Sequence, residues 1–178
     1  VHTLFVNTGG TPKKDEQQIT KRALELGAKK HINVNVEKSL WLEILAPLIQ
    51  SGALYQNKYP ALCSDRYLIV KESIKLCRKL KTKYIAHGCT GMGNDQIRFD
   101  LSIRAHGNYN IITPIREIQN ITKNVREYEE DYLKAKGYKV SSLHKKYSIN
   151  ENLMGATISG SEIDTWDKPS PESFVLCK

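Results

Sequence analysis

Cysteine is scarce in this chain, and what there is forms no pattern. Cys63, Cys77, Cys89 and Cys177 make no CxxC pair and stand at no metal-ligand spacing from a histidine. Neither a zinc site nor a redox dithiol is signalled, and the thiols read as reduced and structural. No run approaches the roughly 20 apolar residues of a membrane span, and residues 1–7 are too short for a signal peptide. The cytoplasm is therefore the expected compartment. Acidic residues are also in deficit, 19 against 27 basic ones, leaving a formal charge of +8. That balance favours anionic partners without choosing among nucleotides, dicarboxylates, nucleic acid or an acidic membrane face. Apolar residues at 40% and charged residues at 26% are ordinary globular values and argue against wholesale disorder. One core is expected for 178 residues, since a chain of this size buries roughly 70% of its unfolded surface.

The order of patterns is strand, helix, strand. VHTLFVNTGG is a β-rich run ended by two glycines. Residues 15–27 place Ile19, Ala23 and Leu26 on one helical face, with acids in the first turn and Gly27 as the stop. Residues 31–36 alternate as a second strand, and Ser39 is placed to cap the next element. Trp41, Ile44, Leu45, Leu48 and Ile49 then recur as an apolar stripe that Pro47 should kink. From Asp65, the positions Tyr67, Val70, Ile74 and Cys77 mark another helix, whose basic end (Lys75, Arg78, Lys79, Lys81) suits a helix dipole better than a nucleic-acid patch. Ile97, Leu101 and Ala105 predict a core face, NIITP a strand, and residues 122–136 a last helix with the stripe Val125, Tyr128, Tyr132 and Ala135. The remainder, including YSINENLMGATISG, reads as polar surface loop that could close over a ligand. Alternation of this kind implies a parallel, doubly wound α/β sheet with ligands beyond the strand C-termini.

The most informative stretch is YIAHGCTGMGNDQIR, residues 84–98. A short strand, Tyr84 to Ala86, is expected to be buried. Gly88, Gly91 and Gly93 then free the backbone, and Asn94 and Asp95 can cap the helix that follows. Such a turn aims N–H groups at an anion. Asn94 and Arg98 stand four apart on one helical face, where they could hold a single polar ligand. Thr90 offers a hydroxyl, Asp95 a carboxylate for an ammonium, and Arg98 a fork for a carboxylate, together an amino-acid pocket. His87 fits a hydrogen-bonded strand-end histidine better than a general base. By residue type alone, Tyr59 and Ser64 suit a packed ring and an N-cap.

At HGCTGMGNDQIRFDL the chain closely resembles the signature of argininosuccinate synthases. VNTGG, RALELGAKKH, GALYQNKYP, IITPIRE and YSINENLMGATISG fall in that family's order and spacing, so the resemblance covers nearly the whole chain. It implies a three-layer α/β/α nucleotide-binding domain of the PP-loop ATP pyrophosphatase type. It also implies a ligation in which ATP, with Mg2+, activates the ureido oxygen of citrulline as an adenylate and the aspartate amine then displaces AMP. By the resemblance, Thr90, Asn94 and Asp95 match aspartate-contacting positions. Tyr59, Ser64, Asn94, Arg98, Ser148 and Thr157 match citrulline-contacting ones, and Val6 and Gly88 line ATP. No side-chain nucleophile and no protein-bound metal are implied. Positioning and neutralising several anions is the task such chemistry sets.

Thr157 stands where many members have Ser, Cys63 where Thr is common, and Asn150 where Asp is common, all changes that keep size or hydrogen bonding. The family's SGGLDTS pyrophosphate turn occurs nowhere in these 178 residues, and its C-terminal synthetase and oligomerisation region is absent as well. The expectation is an internal fragment: residues 1–140 a partial nucleotide-binding domain, residues 141–178 a polar loop opening the synthetase region. It is expected to be inactive alone and to belong to a homo-oligomer in full-length form. The missing strand would lie between the first strand and that at Tyr84, leaving two half-sheets with unpaired edges and poor monomer stability. The alternatives are an RNA-binding module related to tRNA-modifying enzymes of the same fold, resting mainly on the charge, and a non-catalytic ligand-binding remnant. The absence of paired cysteines and of basic residues interleaved with aromatics weighs against nucleic acid.

Overall fold

Parallel strands cannot be joined by a tight turn, and helical crossovers join both parallel pairs of this chain. The computed structural model describes residues 1–54, 56–58, 62–140, 147–160 and 165–174. Two compact units divide it, one made of Val1–Leu68 with Leu143–Lys178 and the other of Ile69–Ser142.

In the first unit, β1 (His2–Asn7) runs parallel to β2 (Lys30–Asn35) in a register from His2↔Lys30 to Asn7↔Asn35. The crossover is α1 (Lys13–Glu25), with Asp15 and Glu16 in its first turn. It stops where the sequence predicts. Gly27, at φ +92°, donates its N–H to Leu24 O, and Ala28 donates to Ala23 O, the paired bonds of a Schellman motif.

After β2 the expected cap and stripe are both corrected. Ser39 lies inside α2 (Glu37–Leu40), whose N-cap is Val36. A π-helical turn, Trp41–Leu45, follows directly and leads into α3 (Ala46–Ser51). Pro47 sits in the first turn of α3, and because it offers no N–H to the helical turn before it, the distortion falls ahead of it, in the π-turn, rather than at it. The wide turn advances the helical phase by one residue. Leu40 and Leu45, five apart, are the buried pair, while Trp41 and Ile49 face outward.

Residues 147–160 are no loop. β5 (Ser148–Asn152) and β6 (Gly155–Ser159) form an antiparallel hairpin closed by Asn152↔Gly155, so Leu153 and Met154 make a two-residue turn. The Asn152 side-chain oxygen accepts the Met154 N–H and steadies that turn, and Gly155 supplies the positive φ beside it.

The second unit takes over α4 (Asp65–Lys79), which begins in the first. β3 (Tyr84–Ala86) pairs in parallel with β4 (Asn110–Ile112) across α5 (Asn94–Ala105). Val70, Ile74 and Ile103 form its core, with Ile85, Phe99, Tyr109 and Ile111 packed against them. The predicted face of α5 was wrong: Ile97 and Leu101 are exposed, and Phe99 and Ile103 point inward instead. A three-residue strand alternates, so Ile85 packs on the core while Tyr84 and Ala86 are exposed rather than buried. The expected final helix is present, preceded by one that the sequence reading missed. α6 (Pro114–Ile121) starts on a proline, and α7 (Val125–Ala135) follows, with Tyr128 and Tyr132 exposed rather than in a core.

β1–β2, β3–β4 and β5–β6 are three separate two-stranded sheets among the described residues. β1 and β3 share no ladder, so the parallel pairing and helical crossovers are as predicted while each pair stands as two strands.

Truncating Ile74 or Ile103 to Ala should cost about 2–4 kcal/mol of unfolding free energy in urea titrations, because both are fully enclosed. Leu24→Ala, on the open side of α1, should change it by no more than about 0.5 kcal/mol.

Candidate functional site

The glycine turn after β3 is held from two helices. His87 continues the strand ladder by donating its backbone N–H to Ile112 O. Its ring is nearly buried; Nδ1 accepts the Cys89 backbone N–H at 3.3 Å and Nε2 meets Asp100 Oδ1 at 2.9 Å. Those partners put the ring proton on Nε2, donated to Asp100. Arg116, from α6, grips the same carboxylate through both terminal nitrogens, at 2.9 and 3.2 Å. A further tie to α6 runs from the Gly91 N–H to Gln119 Oε1 at 2.7 Å.

Burial pushes the Asp100 carboxyl toward its neutral form. The hydrogen bonds from Arg116 and His87, together with the Arg116 charge, outweigh that and leave it below the ordinary carboxylate range. Reciprocally, the Asp100 hydrogen bond raises Arg116. Burial raises the Cys77 thiol.

The turn therefore spends the Cys89 and Gly91 N–H groups on its own protein acceptors rather than aiming them outward, and the Thr90 hydroxyl donates to Met92 O. The predicted cap is also corrected. Gly93, at φ +101°, is the N-cap without a side-chain bond, and Asn94 is the first helical residue, exposed. One turn on, Arg98 Nη1 lies 2.8 Å from Asp95 Oδ1. The ammonium acceptor and the carboxylate donor expected from the sequence thus meet each other. Gly88, Thr90, Asn94, Asp95 and Arg98 all fall within this one turn and the start of α5.

In the first unit, Val6 is buried near the end of β1, opposite Val34. Beyond it Asn7 forms a side-chain turn, its Oδ1 accepting the Gly9 N–H while Nδ2 donates to Thr11 O and Glu16. Gly9 and Gly10 lie against the hairpin, where an added Cβ would meet Leu153 and Glu151 at 3.0 Å. Ser64 ends a short 3-10 turn (Leu62–Ser64) that packs against β6. Ser64 is 9% exposed, and its Oγ is buried without a hydrogen-bond partner, so the predicted N-cap bond is not made. An unmet buried hydroxyl costs about 1–3 kcal/mol until something bonds to it. Thr157 lies in β6 opposite Asn150, and Ser148 opens β5 opposite Ser159. Tyr59 lies outside the described residues.

What sequence reasoning missed is the buried network beside Ser64. Asp65 is 1% and Arg66 8% exposed. Arg66 Nη1 reaches both Asp65 oxygens at 2.9 Å, and Nη2 reaches Asn150 Oδ1 at 2.6 Å. The Thr8 hydroxyl donates to Asp65 at 3.2 Å, and Thr8 O accepts the Leu153 N–H. The adjacent Ser-Asp-Arg triplet at a helix start was the available signal. A separate groove of about 690 Å³ between β1 and α1, lined by Val1, Ile19, Ala23 and Leu26, includes none of the predicted ligand residues. No helix of the described residues is long and apolar enough to cross a membrane.

This fold of parallel strands and helical crossovers is matched over residues 1–138 by the family model for the arginosuccinate synthase N-terminal HUP domain, an α/β nucleotide-binding fold of the PP-loop class. The chain belongs to the argininosuccinate synthase family. It is 50% identical over 177 residues to the argininosuccinate synthase of Xanthomonas axonopodis pv. citri, covering 99% of this chain and 43% of that protein. It is 38% identical over 174 residues to the enzyme of Sulfurisphaera tokodaii, at 97% and 43% coverage, and 38% identical over 163 residues to that of Trichodesmium erythraeum, at 90% and 40%. The chain thus spans less than half the length of the curated relatives it matches.

Because the Asp100 carboxyl is depressed in the folded state, its contribution to stability is present above the unfolded value, about pH 4, and is lost as pH falls through the folded one. Urea titrations from pH 3 to 7 should show Asp100→Asn much less stable than wild type at pH 7, with the gap narrowing below pH 4. A gap independent of pH would mean the charge is not what ties His87 to Arg116.

Proposed function

We propose that this chain carries the amino-acid-binding walls of an argininosuccinate synthase. The reaction is carbon–nitrogen ligation in two displacements. The ureido oxygen of citrulline attacks the α-phosphorus of ATP and releases pyrophosphate. The aspartate amine then attacks the adenylated carbon and releases AMP, giving argininosuccinate. Magnesium enters with ATP as part of the substrate.

One observation carries this reading beyond family membership: Arg98 is held in place by Asp95 at the mouth of a glycine turn that is itself fixed by Asp100 and Gln119. A cation anchored before any ligand arrives loses little side-chain freedom on meeting a carboxylate. In the proposed arrangement Thr90, Asn94 and Asp95 contact aspartate, and Asn94 and Arg98 contact citrulline. Ser64, Ser148, Thr157 and Tyr59 complete the citrulline contacts, and Val6 and Gly88 line ATP. The unpartnered Ser64 hydroxyl supports this assignment, since a ligand amide or carboxylate would satisfy it.

The test is citrulline-dependent ATP–pyrophosphate exchange, measured on the complete gene product. Arg98→Leu should raise the KM for citrulline by about ten- to a hundredfold, the worth of a charged hydrogen bond, with little change in the KM for ATP. Equal losses for both substrates would show Arg98 to be misassigned. Exchange that does not depend on citrulline would overturn the reading as a whole.

A further inference from the structure

We infer that Arg66 is a positioning residue, clamping the β5–β6 hairpin through Asn150 so that Thr157 and Ser64 are held in one wall. The functional half of this inference rests on the proposed assignment of Ser64 and Thr157 to citrulline.

The geometry is specific. Asp65 and Arg66 are neighbours in sequence at the start of α4, both taken almost wholly out of water. Burying an ion pair yields little stability by itself, because desolvation consumes most of the attraction, so its retention calls for another account. The bonds supply one. Asp65 holds Nη1 with both oxygens, and Nη2 reaches Asn150 Oδ1 at 2.6 Å. Asn150 is the cross-strand partner of Thr157, so fixing it fixes the height of Thr157 along the hairpin. Ser64 immediately precedes Asp65, and its turn packs on β6, the strand of Thr157. Thr8 closes the arrangement by donating its hydroxyl to Asp65 while its carbonyl accepts from Leu153 at the hairpin tip.

Two variants at Asn150 separate positioning from mere presence. Asn150→Ala removes the acceptor for Arg66, and Asn150→Asp restores one. In the complete gene product, Asn150→Ala should raise the KM for citrulline about tenfold while leaving the KM values for ATP and aspartate and kcat unmoved. Asn150→Asp should return it to within about twofold of wild type. Amide hydrogen exchange supplies a readout that needs no substrate. Residues 148–159 should exchange faster in the Ala variant than in wild type or the Asp variant, with residues 94–105 unchanged.

Unaltered exchange in the Ala hairpin would overturn the clamp outright. A loosened hairpin with an unmoved citrulline KM would overturn its positioning role. If wild type itself fails to respond to citrulline, the proposed function falls, and the exchange pattern still decides whether Arg66 holds the hairpin.

Discussion

Two opposite charges withdrawn from water at the start of α4 must satisfy each other before other segments can close round them. Asp65 and Arg66 do so with every bond directed, and the directions reach the turn after β1 through Thr8 and the hairpin through Asn150. The first unit buries Val6, Val36, Leu40, Leu45, Leu68 and Tyr147, while α1 contributes no fully buried side chain. Directed polar contacts add to that apolar core in deciding which segments lie together. The close approach of Gly9 and Gly10 to the hairpin is part of the same arrangement, since at both a Cβ would lie 3.0 Å from it.

The second unit is organised differently, around aliphatic packing with one carboxylate at its rim. Val70, Ile74 and Ile103 fasten α4 and α5 to the β3–β4 pair, and Asp100 then uses the outer part of α5 to fix both the strand-end histidine and α6. Shape comes from the core and orientation from the carboxylate. A glycine-rich turn is intrinsically permissive, and here its freedom is removed by contacts from outside the turn rather than by its own sequence.

Much of this was legible in the sequence wherever a local rule governs. The parallel α/β class, the helix stop at Gly27 and the glycine turn leading into a helix near Asn94 all follow from local pattern within a few residues. Errors arose where phase or partner depends on distant chain. The π-turn before Pro47 shifts the buried pair to Leu40 and Leu45, which a 3.6-residue period cannot foresee. Ile97 and Leu101 fit a helical stripe as well as Phe99 and Ile103 do, and only the position of β3 decides between them. The hairpin was unreadable because its strands are mostly polar, with their register set by a two-residue turn and by Arg66. Residue types alone suggested that Asp95 and Arg98 were both available to ligands, and their mutual pairing appears only once the helix is built.

The first unit is discontinuous along the chain, with the whole of the second inserted between its two segments. Its ion pair forms between adjacent residues and can close early, whereas Asn150 lies 84 positions from Arg66. Loop-closure entropy places that contact among the last to form, although each doubling of the separation costs only about 0.6 kcal/mol. During synthesis Arg66 emerges well before Asn150, and the bond between them waits until the intervening residues have been made. The hairpin is thus a latecomer that completes a wall whose other half was laid down by the residues just before Arg66.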